Sequence, residues 1–301
     1  MNVGVQVKIE HFGPDDAARI RRTGFKFVRF GVWTDRLPDA AYQKRVAEAF
    51  SVARIAGLPV LLTVRSTTPV ISAQTAPAAR SKALAQAGTA FGRTVAALRH
   101  SYASQLLAIE IWNEPDLPKY WPTGDALATF SPYIRAACSQ LQGTTARVPT
   151  FGFGFSRAPL SGSLPDALLQ QVVSTAPGCI GAVSYHAYGM SADAIHNTMR
   201  STRARYAMPA VVTEWGVPSI ATTDGNEGQA SRVRAFLNTL RSTGTPLVSI
   251  YEWKDTSSGS NNRERNFGLL TSEGEDKPSL GATSKALRSF EVSGPASGAS
   301  R

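Results

Sequence analysis

The sequence predicts a single (β/α)8 barrel, the α/β architecture of the TIM type. Three observations carry that prediction. Short runs rich in Val, Ile, Leu and Phe alternate with helix-period segments along nearly all of the 301 residues, and such pairs number eight. No Gly-rich dinucleotide fingerprint follows the first run, which weighs against a doubly wound sheet. No linker divides the chain, so one domain is expected over 1–291. The Ser-, Gly- and Ala-rich stretch 292–301 is expected to be a disordered tail.

The first strand is expected at 3–7, followed by a helix near 14–23. There Pro14, Asp15 and Asp16 suit a first turn, and Gly24 suits the left-handed residue past the end. The second pair is a strand at 26–30 and a helix near 39–56 closed by Gly57. Leu58-Pro59 then leads into a strand at 58–64, since Pro is tolerated at a strand start, and a helix near 78–100 follows. The fourth to seventh strands are expected at 106–112, 148–152, 180–185 and 210–214. Their helices are expected near 124–142, 164–175, 191–205 and 227–243. Gly244 and Thr245-Pro246 introduce the last strand at 247–252, and a helix near 279–290 ends the pattern. Runs apolar on both parities are what a parallel sheet buried on both faces requires.

Composition narrows the function classes. With 43% hydrophobic and 18% charged residues, a large core is attainable and disorder is excluded. No apolar run approaches the roughly 20 residues of a membrane-spanning helix. The net charge is +10, and the densest basic group is Arg19, Arg21, Arg22, Lys26 and Arg29. Its helical part reads as a solvated face rather than a nucleic-acid patch. The surplus charge favours an anionic partner such as an acidic polysaccharide.

The cysteines are Cys138 and Cys179; with no CxxC pair, a cysteine-based zinc site is excluded. A disulfide in an oxidising compartment and two buried thiols both remain open. The first residues read as a strand and not as a signal peptide. The chain is therefore expected to be periplasmic or extracellular with its leader absent from this sequence, or else cytoplasmic.

In a barrel of this kind the C-terminal strand ends carry the chemistry. The fourth strand leaves through Ile109-Glu110-Ile111-Trp112-Asn113-Glu114-Pro115, and the seventh through Val212-Thr213-Glu214-Trp215-Gly216. Two glutamates, 100 residues apart, thus emerge at the same barrel mouth. Paired carboxylates are the minimal machinery of glycoside hydrolysis.

On these residues the sequence resembles the retaining glycoside hydrolase clan built on the same barrel. The likeness rests on Asn113-Glu114-Pro115 together with Thr213-Glu214-Trp215-Gly216. Within the clan the chain is most similar to cellulase-like, xylosidase-like and exopolysaccharide-processing bacterial enzymes. The resemblance implies that Glu114 is the general acid/base and Glu214 the nucleophile. It implies that Arg29, taken to end the second strand, holds the nucleophile; the alternative is a pair with Glu110. It implies that Asn113 binds a sugar 2-hydroxyl, beside a possible turn-capping role. His186 and Tyr188 are expected beside the carboxylates, and Trp253 as a sugar-stacking platform. Trp33 and Trp121, with Tyr120, are expected to shape subsites, as are Gln6, Lys8, Glu10, His11, Asp35, Arg65 and Ser66.

Rival chemistries lack their motifs. There is no His-x-His for a metal-dependent barrel hydrolase, no Gly-x-Ser-x-Gly elbow and no P-loop. No metal or organic cofactor is expected. The expected activity is retaining hydrolysis of a β-linked glycan by a monomer, on a bacterial cell-surface or exopolysaccharide. The alternatives are a transglycosidase using the same site and a non-catalytic glycan- or nucleic-acid-binding barrel.

Overall fold

In the computed structural model, which describes residues 1–66, 71, 76–121, 123–142, 148–257 and 261–292, eight parallel strands close into one barrel. The order is β1 Asn2–Gln6, α1 Pro14–Thr23, β2 Val28–Trp33, α2 Ala40–Ile55, β3 Val60–Arg65 and α3 Pro77–Ser101. It continues with β4 Leu106–Ile111, α4 Ala126–Ser139, β5 Thr150–Phe155, α5 Leu164–Thr175, β6 Ala182–His186 and α6 Ala192–Tyr206. β7 Ala210–Trp215, α7 Gly225–Thr239, β8 Leu247–Ile250 and α8 Pro278–Val292 complete it, and β1 pairs with β8 to close the ring. The chain is a (β/α)8 barrel. The tail expected to be disordered lies outside the described residues after 292.

Four strands, β2, β3, β5 and β6, start two residues later than the apolar runs suggested. β2 starts at Val28 rather than Lys26, and β5 runs through the Phe-Gly alternation to Phe155. Val148-Pro149 cannot open the ladder as a donor because Pro149 has no N–H, although its carbonyl accepts from Ile109. Helix starts follow local chemistry: the side chains of Asp39, Asp125, Ser163 and Ser191 accept backbone N–H groups in the first turns of α2, α4, α5 and α6. Cys138 near the end of α4 and Cys179 before β6 form a disulfide, Cα to Cα 5.4 Å.

The barrel interior is layered by period-two alternation. Phe27, Leu61, Ala108, Ala182, Val211 and Leu247 make a small apolar cluster of their own, distinct from the larger core under the helices. Two residues further along each of those segments stand Arg29, Thr63, Glu110, Ser184, Thr213 and Ser249, all buried and all polar. An apolar floor therefore supports a polar storey directly beneath the C-terminal mouth.

Candidate active site

The exit of β4 is bent by two left-handed residues that are not glycine, Trp112 (φ 77°) and Glu114 (φ 54°). Such conformations cost about 1–3 kcal/mol each and persist only where neighbours impose them. Here the Trp112 N–H donates to Val64 O at 2.8 Å and the Glu114 N–H to Gly154 O at 2.9 Å. The Trp112 indole donates to Tyr120 O and packs edge-on against Trp121 and Tyr133. Glu114 thereby lines the cleft while Glu110 stays in the barrel.

Arg29 organises the floor of the site. One terminal nitrogen donates to Glu214 Oε1 at 2.5 Å and to Gln6 Oε1 at 2.7 Å. The other donates to Glu110 Oε2 at 2.5 Å and to Asn113 Oδ1 at 2.9 Å, and Nε donates to Glu110 Oε2 at 3.1 Å. The two expected partners, Glu214 and Glu110, are thus held together by one guanidinium, whose planar fork has an edge for each. The expectation that Arg29 ends its strand is corrected: it is the second residue of β2, and its length carries the charge up to the mouth.

β6 and β7 align His186 with Glu214. His186 Nδ1 lies 2.8 Å from Glu114 Oε1 and 3.4 Å from Glu214 Oε2, while the Tyr188 hydroxyl donates to Glu214 Oε2 at 2.8 Å. One carboxylate oxygen of each glutamate and the His186 nitrogen fall within 4.8 Å of one another. The side chains keep 15% of their surface exposed at Glu114 and 12% at Glu214, so both can be reached from the cleft. Burial pushes the Glu214 pKa up, but His186, Arg29 and Tyr188 outweigh it and hold the carboxyl below its ordinary range. Burial likewise disfavours charge on His186, yet Glu214 and Glu114 raise its pKa above 6.5. The Glu114–His186–Glu214 trio has donor atoms suited to a metal ion, but a cation there would meet the fixed positive charge of Arg29.

The cleft above these groups has a volume of about 690 Å³. Trp33, Tyr120, Asn113 and Tyr188 line it as expected of subsite residues, and so do Gln6, Lys8, Glu10 and Arg65. Trp253 and Trp121 do not. Trp253 is 2% exposed, edge-on to Phe25, with its indole donating to Asp16; Trp121 is 2% exposed and donates to Thr129. Tyr251, two residues before Trp253, takes the place at the cleft wall expected of that tryptophan. Sequence reasoning missed Thr63 and Tyr251 as members of the site and had Glu110 only as the alternative partner of Arg29. The polar residues two positions beyond apolar ones in Leu61-Leu62-Thr63 and Ala108-Ile109-Glu110 were the available signal.

A family model described as glycosyl hydrolase catalytic core matches residues 85–283. No curated relative matches the sequence. Solved structures share the fold at low identity. An exo-β-1,4-mannosidase from Opitutaceae bacterium strain TAV5 is 18% identical over 96% of this chain and 59% of its own, with a TM-score of 0.70. A family 39 glycoside hydrolase from Bacteroides cellulosilyticus WH2 is 19% identical over 95% of this chain and 63% of its own, with a TM-score of 0.66. A GH5_18 protein from Streptomyces cattleya, solved with Manβ1-4GlcNAc, is 15% identical over 98% of this chain and 82% of its own, with a TM-score of 0.71. This chain spans about three fifths of the length of the first two.

Proposed function

Because this chain belongs to the glycosyl hydrolase catalytic core family, we propose that it hydrolyses a β-linked glycan with retention of configuration, Glu214 serving as nucleophile and Glu114 as acid/base. The observation that carries the reading is the approach of a Glu114 and a Glu214 oxygen to within 4.8 Å at the open mouth. Retaining enzymes place their carboxyls about 5–5.5 Å apart, whereas inverting ones leave roughly 6.5–9.5 Å for a water. The β-linkage draws support from the exo-β-1,4-mannosidase and the Manβ1-4GlcNAc complex among the structural neighbours.

In the first step Glu214 attacks the anomeric carbon while Glu114 gives its proton to the departing glycosidic oxygen, leaving a glycosyl ester on Glu214. Arg29 and Tyr188 each bind one oxygen of Glu214, so the nucleophile is kept ionised and oriented. Esterification removes that negative charge, so Glu114, having given up its proton, can stay ionised. In the second step Glu114 takes a proton from water as the water oxygen attacks the anomeric carbon and displaces the Glu214 carboxylate, which restores both carboxyls. His186 Nδ1, between the two carboxyls, positions Glu114. The Cys138–Cys179 bridge supports a periplasmic or extracellular location, since disulfides persist in oxidising compartments.

The test is a panel of aryl β-glycosides, with the anomer of the first product followed by proton NMR. A β product released first, and turnover lost in both Glu114→Gln and Glu214→Gln, is the expected result. An α product, or unchanged turnover in both variants, overturns the reading.

A further inference from the structure

We infer that Arg65 forms an anion-binding subsite in the cleft, so that the substrate is a glycan bearing an acidic group; the inference rests on the glycosidase reading above. Arg65 is the last residue of β3 and lines the same cleft as Glu114 and Glu214. Its guanidinium carbon lies 4.5 Å from the ring centre of Trp33 and 4.8 Å from that of Tyr120. The two rings hold the group in place, while its N–H donors point along its own plane. A planar, bidentate acceptor is the ligand that such a fork fits.

Three other cations of the cleft have carboxylate partners. Arg29 is engaged by Glu110 and Glu214, Lys8 by Glu252 at 3.2 Å, and Arg263 by Glu264 at 3.3 Å. Arg65 makes no ion pair among the described residues, and its Nε is buried without a hydrogen-bond partner. Lys119 joins it on the same wall, with Nζ 5.0 Å from the Tyr120 ring. Burial opposes the charge on Arg65, and Tyr120, Glu114, Asp35 and Glu214 offset it only in part. A partly buried guanidinium with an unpartnered N–H and no ion pair among the described residues is a cost that an anionic ligand on its terminal nitrogens offsets. The shared chemistry is a carboxylate of a uronic acid residue or a sulfate ester. The overall charge of +10 draws such a polymer to the protein.

The experiment compares hydrolysis of matched neutral and acidic oligosaccharides. The pairs are β-1,4-glucan with β-1,4-glucuronan, β-1,4-mannan with β-1,4-mannuronan, and β-1,4-galactan without and with sulfate esters. At low salt the full chain is expected to prefer the acidic member of at least one pair. The first two pairs identify carboxylate and the third identifies sulfate. In Arg65→Gln the acidic-to-neutral ratio of kcat/KM should fall about tenfold or more, the weight of a lost charge-assisted contact, and Arg65→Lys should restore part of it. Because the ratio is taken within one variant, a loss of folded protein does not alter it. A neutral preference throughout, or the same ratio in Arg65→Gln, overturns the subsite and leaves the glycosidase reading standing. No hydrolysis of any member overturns both.

Discussion

Arg29 donates to Glu214 Oε1 at 2.5 Å from the second position of β2, deep in the barrel, and so couples the mouth of the site to its polar storey. Replacing it by Met would leave Glu110 and Glu214 without their shared counter-charge. Breaking a buried pair costs about 3–5 kcal/mol, and that loss is expected near neutral pH. Glu214 has its pKa held below 4.5, so its contribution to stability is present above 4.5 and disappears as pH falls through the lowered value. The stability gap between wild type and Arg29→Met should therefore narrow on acidification, and the acid limb of kcat/KM should move to higher pH. Urea unfolding at several pH values checks this; a gap that widens toward acid contradicts it.

The barrel was legible because each strand is a compact apolar run and each helix carries its own punctuation. Glu114 and Glu214 were legible as a pair because both stand at strand exits. What escaped was everything that depends on register. A two-residue displacement of β2 moved Arg29 from the rim to the interior, and the Phe-Gly alternation after Pro149 hid the length of β5. Trp121 and Trp253 illustrate a further limit. Both follow strand ends, yet a tryptophan there can turn toward the helices, and only packing against Tyr133 and Phe130 or Phe25 decides it.

Gly154 joins the two halves of the site. Its carbonyl accepts the Glu114 N–H, its φ is +56°, and a Cβ built there would stand 3.0 Å from Glu110 Oε1. Gly154→Ala is expected to cost about 1–2 kcal/mol for the left-handed backbone alone. It should also push Glu110, and through it Arg29, out of place. Misplacement by about 1 Å lowers turnover by up to roughly a hundredfold. Steady-state kinetics beside a thermal melt separate the two effects. A variant with unchanged kcat would show that Glu110 is not held by this contact.

The disulfide closes a loop with a sequence separation of 41 residues. Chain-entropy arguments give such a closure about 4 kcal/mol of stabilisation. A Cys138→Ser, Cys179→Ser double variant should therefore unfold at lower denaturant concentration, by about 2–5 kcal/mol in free energy. The bridge is remote from the acidic pair, so glycosidase activity of the folded variant should persist. Equal unfolding midpoints for wild type and variant would show that the bridge contributes nothing.

Glu252 supplies a pH dependence of the opposite sign to that of Glu214. Burial pushes its pKa up to about 7, even though the Lys8 ammonium at 3.2 Å favours the ionised form. Between 4.5 and about 7 the folded chain holds a proton there that the unfolded chain has lost. Stability must then decline as pH rises through that window. A displacement of this size corresponds to about 3 kcal/mol at most, at 1.36 kcal/mol for each pKa unit. Glu252→Gln removes the titration, so its stability should fall less than that of the wild type between pH about 4.5 and 7. Chemical denaturation across that range measures the slope for both proteins. Parallel slopes would mean that Lys8 outweighs burial and that Glu252 is ionised throughout.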